Sequence, residues 1–328
     1  MDGLWSRLGE LVDRAPSVID LLDHRLGAVA ARHWRAQGRP LPPAILEEER
    51  HAASAALAAP VLLSRVTRAC DGAVVLLKGP EVAERYPEPT MRPCHDLDLL
   101  VEDSAAVFAA LRAAGCVVLP STGPAPQHEQ PLAFPDLPLT IELHSAPKWP
   151  AWAGPPPVPE LFGDAVPSRV GGDVLAPRPA HHAVLLAMHS WAHRPLARIL
   201  DLADVSVMLH EAGRAEAGAV ARRWGVEGIW GATTRALDAL FDGTAEPWTL
   251  RTWARNTPRA RRPTRGQLLL GRCLSPFAAL PPLEAARVGA AAVGVMLRER
   301  TTPGSAERLR RLRPEHPAAV AARERRGV

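Results

Sequence analysis

The chain has 328 residues, of which 47% are hydrophobic and 23% are charged, and its formal net charge at pH 7 is +4. This balance is typical of a globular protein with one or two domains and excludes a disordered chain. No run of about 18 apolar residues occurs, and the N-terminus lacks a signal-peptide pattern, so we expect a cytoplasmic protein without a membrane span. The four cysteines have no C-x-x-C spacing, which argues against a zinc or redox motif.

Two helices are predicted before residue 70, because apolar residues recur at three-to-four spacing over residues 13–22 and 43–69. Strand signals follow between residues 71 and 178. Short apolar or alternating runs predict strands over 73–77, 97–101, 116–119, 131–134 and 139–144, and a hairpin over 166–176. One helix is predicted at 105–114, with Asp103 or Ser104 as its N-cap and Gly115 at its end.

After Pro179 the chain is mainly helical again, with the clearest amphipathic pattern over residues 181–209. This order predicts an α+β fold, in which a small mixed β-sheet core is flanked by N-terminal and C-terminal helical regions. We divide the chain into N-terminal helices, a sheet core, a helical domain and an arginine-rich, flexible tail, at 1–70, 71–178, 179–297 and 298–328.

Two aspartates share one face of a predicted strand. Side chains alternate along Asp96-Leu-Asp98-Leu-Leu-Val, so both aspartates point the same way while Leu97 and Leu99 enter the core. Residues two apart along a strand lie about 6.6 Å from each other. This separation suits carboxylates that hold two Mg²⁺ ions about 4 Å apart. Taken alone, the pair is weak evidence for a metal site, because a solvated strand edge shows the same pattern.

A third acid lies in Thr-Ile-Glu142-Leu-His144, where the same alternation places Glu142 and His144 on an open face. We expect this strand to lie beside the aspartate strand. Three carboxylates would then converge, and a divalent metal would offset their repulsion. The strand end Leu77-Lys78-Gly79 adds a positive charge and a glycine that lets backbone N–H groups approach a phosphate.

These segments resemble the polymerase-β-like nucleotidyltransferase superfamily, and within it the bacterial group described as uncharacterised nucleotidyltransferases. The resemblance covers about residues 70–210. Its motifs are Leu77-Lys78-Gly79, Tyr86 with Arg92-Pro93, Asp96 to Val101, Glu142-Leu143-His144, His189 with His193, and Arg198 to Asp204.

The resemblance implies an enzyme that moves a nucleoside monophosphate from an NTP such as ATP to an acceptor and releases pyrophosphate. Asp96 and Asp98 would hold two Mg²⁺ ions. Glu142 would hold the catalytic ion and orient the attacking group. The nucleotide contacts implied are Lys78, Gly79, Arg92 and His144.

No motif identifies the acceptor or the oligomeric state. We expect a small molecule or a peptide as the acceptor, with toxin-like transfer to tRNA or protein as the alternative. Pro80 removes one N–H beside the phosphate position, so an inactive nucleotide-binding module is a second alternative. The mild net charge does not itself indicate nucleic acid, although the basic stretch from Arg251 to Arg265 keeps an RNA partner open.

His189 and His193 are one helical turn apart, but the glutamate of a zinc-protease motif is missing between them. Helix packing, or a hydrogen bond to Asp201 or Asp204, is the favoured interpretation. The alternative is a helix that closes over the nucleotide.

Overall fold

The computed structural model describes residues 2–120, 129–171, 173–193, 195–243, 260–262, 264, 273–278 and 280–301. Most of the predicted tail and most of the basic stretch from Arg251 to Arg265 lie outside these residues. No helix of the described residues is long and apolar enough to cross a membrane.

The N-terminal helices are α1 (Asp2–Asp13), α2 (Val18–Asp23), α3 (Gly27–Ala36) and α4 (Pro43–Ala69). The short helices α5 (Pro80–Ala83), α6 (Ser104–Ala113) and α7 (Val158–Gly163) lie between strands. The later helices are α8 (Pro179–His193), α9 (Ile199–Ala212), α10 (Arg214–Arg223), α11 (Glu227–Leu237) and α12 (Pro282–Thr301).

One seven-stranded sheet runs through the described residues. Its strands are β1 (Val74–Leu76), β2 (Asp96–Val101), β3 (Val117–Val118), β4 (Leu132–Ala133), β5 (Thr140–His144), β6 (Val166–Pro167) and β7 (Leu175–Ala176). They lie in the order β3-β4-β5-β2-β1-β7-β6. The β2–β5 and β1–β7 pairs are parallel and the other pairs are antiparallel. This mixed sheet with helices before and after it confirms the predicted fold class.

Helix caps explain where the boundaries were predicted well. Helix α4 spans the predicted range 43–69 and has Pro43 at its first position, where a missing N–H costs nothing. Asp103 caps α6, since its side chain accepts a hydrogen bond of 2.9 Å from the N–H of Ala106. Gly115 follows with φ of 100°, a conformation that favours glycine.

One predicted helix was wrong in its bounds. The range 13–22 is interrupted, since α1 ends at Asp13 and Ser17 begins α2 by accepting a hydrogen bond from Asp20 N–H. The amphipathic region 181–209 lies in α8 and α9, as the expectation of a mainly helical segment implies, with Leu196 at φ of 54° in the connection. Helix α8 is also buried on most sides, which an amphipathic pattern does not predict.

The sheet packs against helices on both faces. Side chains alternate along β1, so Val74 and Leu76 join one apolar cluster with α4 and α6, while Val75 and Leu77 join another. The second cluster contains buried residues of α1, α3 and α8 to α11. Helices from both sides of the sheet core in sequence therefore share one apolar core, and the four-part division of the chain stays a prediction.

Candidate functional site

The acidic strands β2 and β5 are direct neighbours in the middle of the sheet. They pair in parallel, with Asp98 opposite Glu142 and Asp96 opposite Thr140. Between the acids, Leu97, Leu99, Ile141 and Leu143 are fully buried on the side of α4 and α6. The expectation that the glutamate strand lies beside the aspartate strand is confirmed, and the three carboxylates rise from the same face of the sheet.

Two lysines neutralise these carboxylates. Lys78 Nζ lies 2.8 Å from Asp98 Oδ2 and 3.5 Å from Asp96 Oδ2. Lys148 Nζ, from the loop after β5, lies 2.7 Å from Glu142 Oε2 and 3.4 Å from Asp98 Oδ1. Asp98 therefore lies between the two ammonium groups, and its side chain is only 3% exposed.

His144 completes the group beside Asp98. It was expected on an open face, but it is fully buried, and its Nε2 lies 2.9 Å from Asp98 Oδ1 and 3.7 Å from Glu142 Oε2. The alternation along β5 was correct; the covering loop and helix were not visible in the sequence. The imidazole fixes one oxygen of the Asp98 carboxylate in place.

The donor set around Asp98 fits a divalent cation. Asp98, Glu142 and His144 each offer one ligand atom, and these atoms lie within 4.8 Å of one another. Within the described residues, the buried Oδ2 of Asp98 has no hydrogen-bond partner, and its close contact is the ion pair with Lys78 Nζ at 2.8 Å. Asp96 does not belong to this group of ligand atoms, but it forms an ion pair with Lys78, which also contacts Asp98.

The charges of the site keep Asp96 ionised. Burial alone would raise the pKa of this carboxyl group, but the positive charges of Lys78, Arg25 and Lys148 outweigh it and hold the pKa well below its usual value. Burial in turn lowers the pKa of Lys78, against the opposing effect of Asp96. The site thus combines carboxylates with the largely buried ammonium groups of Lys78 and Lys148.

A small cavity lies between the sheet and α8. Lys78, Asp98, His144 and Lys148 line one side, and the α8 residues Leu185, Leu186 and His189 line the other. Burial, followed by the charges of Lys78 and its neighbours, lowers the pKa of His189 well below its ordinary value, so its imidazole is neutral. Of the three acids, Asp98 lines this cavity, where the apolar side chains of α8 reduce the screening of its charge by water.

Arg92 lies in a different set of contacts. Its guanidinium donates two hydrogen bonds of 2.8 and 2.7 Å to the buried Asp204 of α9, and the Tyr86 hydroxyl donates a third of 2.6 Å. The charge of Asp204 overcomes the effect of burial and raises the pKa of Arg92 above its ordinary value. The implied triphosphate contact of Arg92 stays a prediction, since the structure joins this side chain to the helices.

Gly79 allows the turn that follows Lys78. Its φ is 74°, and a Cβ atom here would meet Cys94 Sγ at 3.0 Å. Pro80 then begins α5. The glycine is therefore needed for the backbone and for close packing, while its implied contact with nucleotide is untested.

Three site residues were not identified from the sequence as such. Lys148 and Arg25 had no motif around them, and His189 was assigned to helix packing. Arg25 lies just after α2 with φ of 57°, a conformation that costs a non-glycine residue about 1 kcal/mol or more. The scarcity of lysine was the one available signal for Lys148, because the chain has only two.

Carboxylates from two neighbouring strands, with basic side chains beside them, occur among the sites of enzymes that transfer phosphorus-containing groups. The model of the uncharacterised nucleotidyltransferase family matches residues 21–242, more than half of the chain, and the protein belongs to this family. This confirms the resemblance to the uncharacterised nucleotidyltransferases. No curated protein and no solved structure matches the chain.

Proposed function

We propose that the protein transfers a nucleoside monophosphate from an NTP, with ATP as the first candidate, to an acceptor and releases pyrophosphate. Family membership supports this class of reaction. The observation that supports the site most is the parallel register of β2 and β5, which places Asp98 opposite Glu142 with Asp96 on the same face.

The transfer exchanges one bond at phosphorus for another. An oxygen or nitrogen atom of the acceptor bonds to the α-phosphorus, and the bond from that phosphorus to the bridging oxygen breaks. Pyrophosphate leaves with the bonding electrons, and the acceptor loses its proton to solvent. In this proposal the ammonium of Lys78, 9% exposed, stabilises negative charge on the phosphate chain, because its charge is little screened by water.

Asp96, Asp98 and Glu142 are the residues that we assign to two Mg²⁺ ions, with His144 holding the Asp98 carboxylate in position. When bound, such ions polarise phosphoryl oxygens and offset the charge that builds up during transfer. The carboxylates themselves are fixed by interior strands, so little reorganisation accompanies binding. Glu142, whose side chain is 18% exposed, is the acid that we assign to orienting the acceptor.

A small molecule or a peptide is the acceptor that we propose. The cavity beside the acids is small, which favours a compact substrate over a folded RNA. Transfer to tRNA or to a protein side chain is the alternative. It predicts that label from the α-phosphate of ATP appears in RNA or protein and not in a small molecule.

The direct test uses ATP labelled at the α-phosphate, with Mg²⁺, small acceptors, total RNA and protein in separate reactions. Pyrophosphate release should fall about 100-fold or more in Asp98→Asn and Glu142→Gln. Asp136→Asn is the matched control, because Asp136 is an exposed acid that pairs with Arg65. Wild-type activity in Asp98→Asn would contradict the site, and label in RNA or protein would replace the small acceptor.

A binding module without catalysis is the second candidate. Two observations favour it: both lysines pair with the acids, and the turn at Gly79 packs against Cys94. Binding of ATP that requires Mg²⁺ but releases no pyrophosphate with any acceptor would select this candidate.

A further inference from the structure

Every lysine of the chain lies at this site. The protein has 39 lysine and arginine residues together, and only Lys78 and Lys148 are lysine. Their ammonium groups contact the same carboxylate, Asp98, from its two oxygens. The side chain of Lys148 is 13% exposed, so its ammonium group is largely desolvated at this position.

The backbone beside Lys148 is held by packing. Trp149 follows it directly, is 4% exposed, and meets Trp224 edge-to-face with ring centroids 6.0 Å apart. Pro147 precedes it and lines the cavity. A lysine whose neighbours are fixed in this way has a defined origin, while its four-carbon stem can still swing the ammonium through a small arc.

The contacts of Lys148 conflict with the proposed cation site. Its Nζ lies 2.7 Å from Glu142 Oε2 and 3.4 Å from Asp98 Oδ1, and both side chains belong to the group that could hold a cation. Two positive charges on the same carboxylates repel each other. Occupation by a divalent cation would therefore weaken the hold of these acids on Lys148.

We propose that Lys148 is a second phosphate-binding lysine, which exchanges its carboxylate partners for the phosphate chain of the nucleotide once divalent cations occupy the acids. The inference rests on the proposed function and assigns a residue to it. Lys148 lines the same cavity as Lys78, so one anionic chain can meet both ammonium groups there. A lysine suits this exchange better than arginine, because its charge is compact and does not need the planar, two-point geometry of a guanidinium.

The exchange predicts opposite effects on two ligands. Lys148→Met removes a competitor for the acids, so binding of Mn²⁺ alone should become about threefold or more tighter. The same substitution removes a phosphate contact, so ATP with Mg²⁺ should bind about tenfold or more weaker. Lys148→Arg keeps the charge and should lie between Lys148→Met and the wild type in both measurements.

Mn²⁺ binding is measured by electron paramagnetic resonance without nucleotide, and ATP and inorganic tripolyphosphate binding by equilibrium dialysis with Mg²⁺. Arg65→Met is the matched control, because it removes a cation from an exposed pair with Asp136 and should change neither ligand. Thermal unfolding followed by circular dichroism establishes that each variant is folded.

A structural role alone would weaken both ligands together, and that result would overturn the proposal. Unchanged ATP affinity in Lys148→Met, with ATP bound by the wild type, would overturn it while leaving the proposed function intact. Tripolyphosphate binding that depends on Lys148, without ATP binding or transfer, would support the lysine and contradict the function. A wild type that binds neither polyphosphate would overturn both.

Discussion

The buried contact between Arg92 and Asp204 offers a quantitative test, because sequence and structure lead to different expectations for it. Asp204 is 2% exposed and receives two hydrogen bonds from Arg92 and one from Tyr86. Asp204→Asn keeps the shape of the side chain but leaves the guanidinium without a counter-charge. Removing one partner of a buried pair costs about 3–5 kcal/mol, and we expect a value near the lower end because the amide oxygen still accepts.

The exposed pair of Arg32 and Glu88 is the control. Its side chains are 49% and 47% exposed, with an N–O distance of 2.6 Å, so Glu88→Gln should cost less than about 1 kcal/mol. Urea unfolding followed by tryptophan fluorescence measures both values, since the chain has nine tryptophans. Costs for Asp204→Asn and Glu88→Gln that agree within error would refute the assignment of Arg92 to a stabilising buried pair.

Arg92→Met distinguishes the two roles directly. A structural pair predicts a loss of about 3 kcal/mol in the free energy of unfolding. It also predicts that Arg92→Met combined with Asp204→Leu costs less than the sum of the single variants by about 2 kcal/mol or more, because no charge is then left buried alone. A triphosphate contact predicts unchanged stability and about tenfold weaker ATP binding.

Two further predictions concern the turn beside Lys78. His182 donates a hydrogen bond of 2.7 Å to Leu77 O, and burial lowers its pKa to about 3. Below about pH 6.5 the unfolded chain therefore binds a proton on this histidine that the folded chain does not bind, so the wild type loses stability as the pH falls. Between about pH 7 and about pH 5, the free energy of unfolding measured in urea should fall by about 2 kcal/mol less in His182→Gln than in the wild type, and an equal fall would contradict this. Gly79→Ala should lower the free energy of unfolding by about 1 kcal/mol more than Gly38→Ala, because Gly38 has a similar φ of 68° but open space around it. Adding Cys94→Ala to Gly79→Ala should recover this difference, and equal costs for the two glycine substitutions would show that Cys94 does not obstruct a Cβ atom at position 79.

Local signals were sufficient for much of the fold. The alternation in β2 and β5 identified which side chains face the core, and the residues at the ends of α4 and α6 fixed those helices. The break between α1 and α2 was missed, although Pro16 and Ser17 stand there and serine is a frequent N-cap. Each of these features depends on a few adjacent residues, which is why a sequence pattern can reveal it.

The remaining features depend on distant pairs. Arg92 and Asp204 are 112 residues apart. No local sequence pattern indicates that an arginine close to the acids in sequence pairs with a helix residue and does not face the nucleotide site. Lys148 was equally hidden, since its place beside Glu142 depends on the course of the chain after β5. The scarcity of lysine indicated a role for Lys78, because that residue follows a predicted strand. The same argument applies to Lys148 when the structure shows where the loop after β5 places it.

Strands β2 and β5 each have a hydrogen-bonded neighbour on both sides, β1 and β4 respectively in addition to each other, while β3 and β6 form the sheet edges. Backbone amides in such strands become accessible to deuterium only when a large part of the fold opens. The backbone that carries the acids should thus exchange among the slowest in the protein, whether or not ligand is bound. Adaptation to substrate then falls to side chains, and the amides of residues 145–157, the segment that carries Lys148, should show whatever protection a ligand adds.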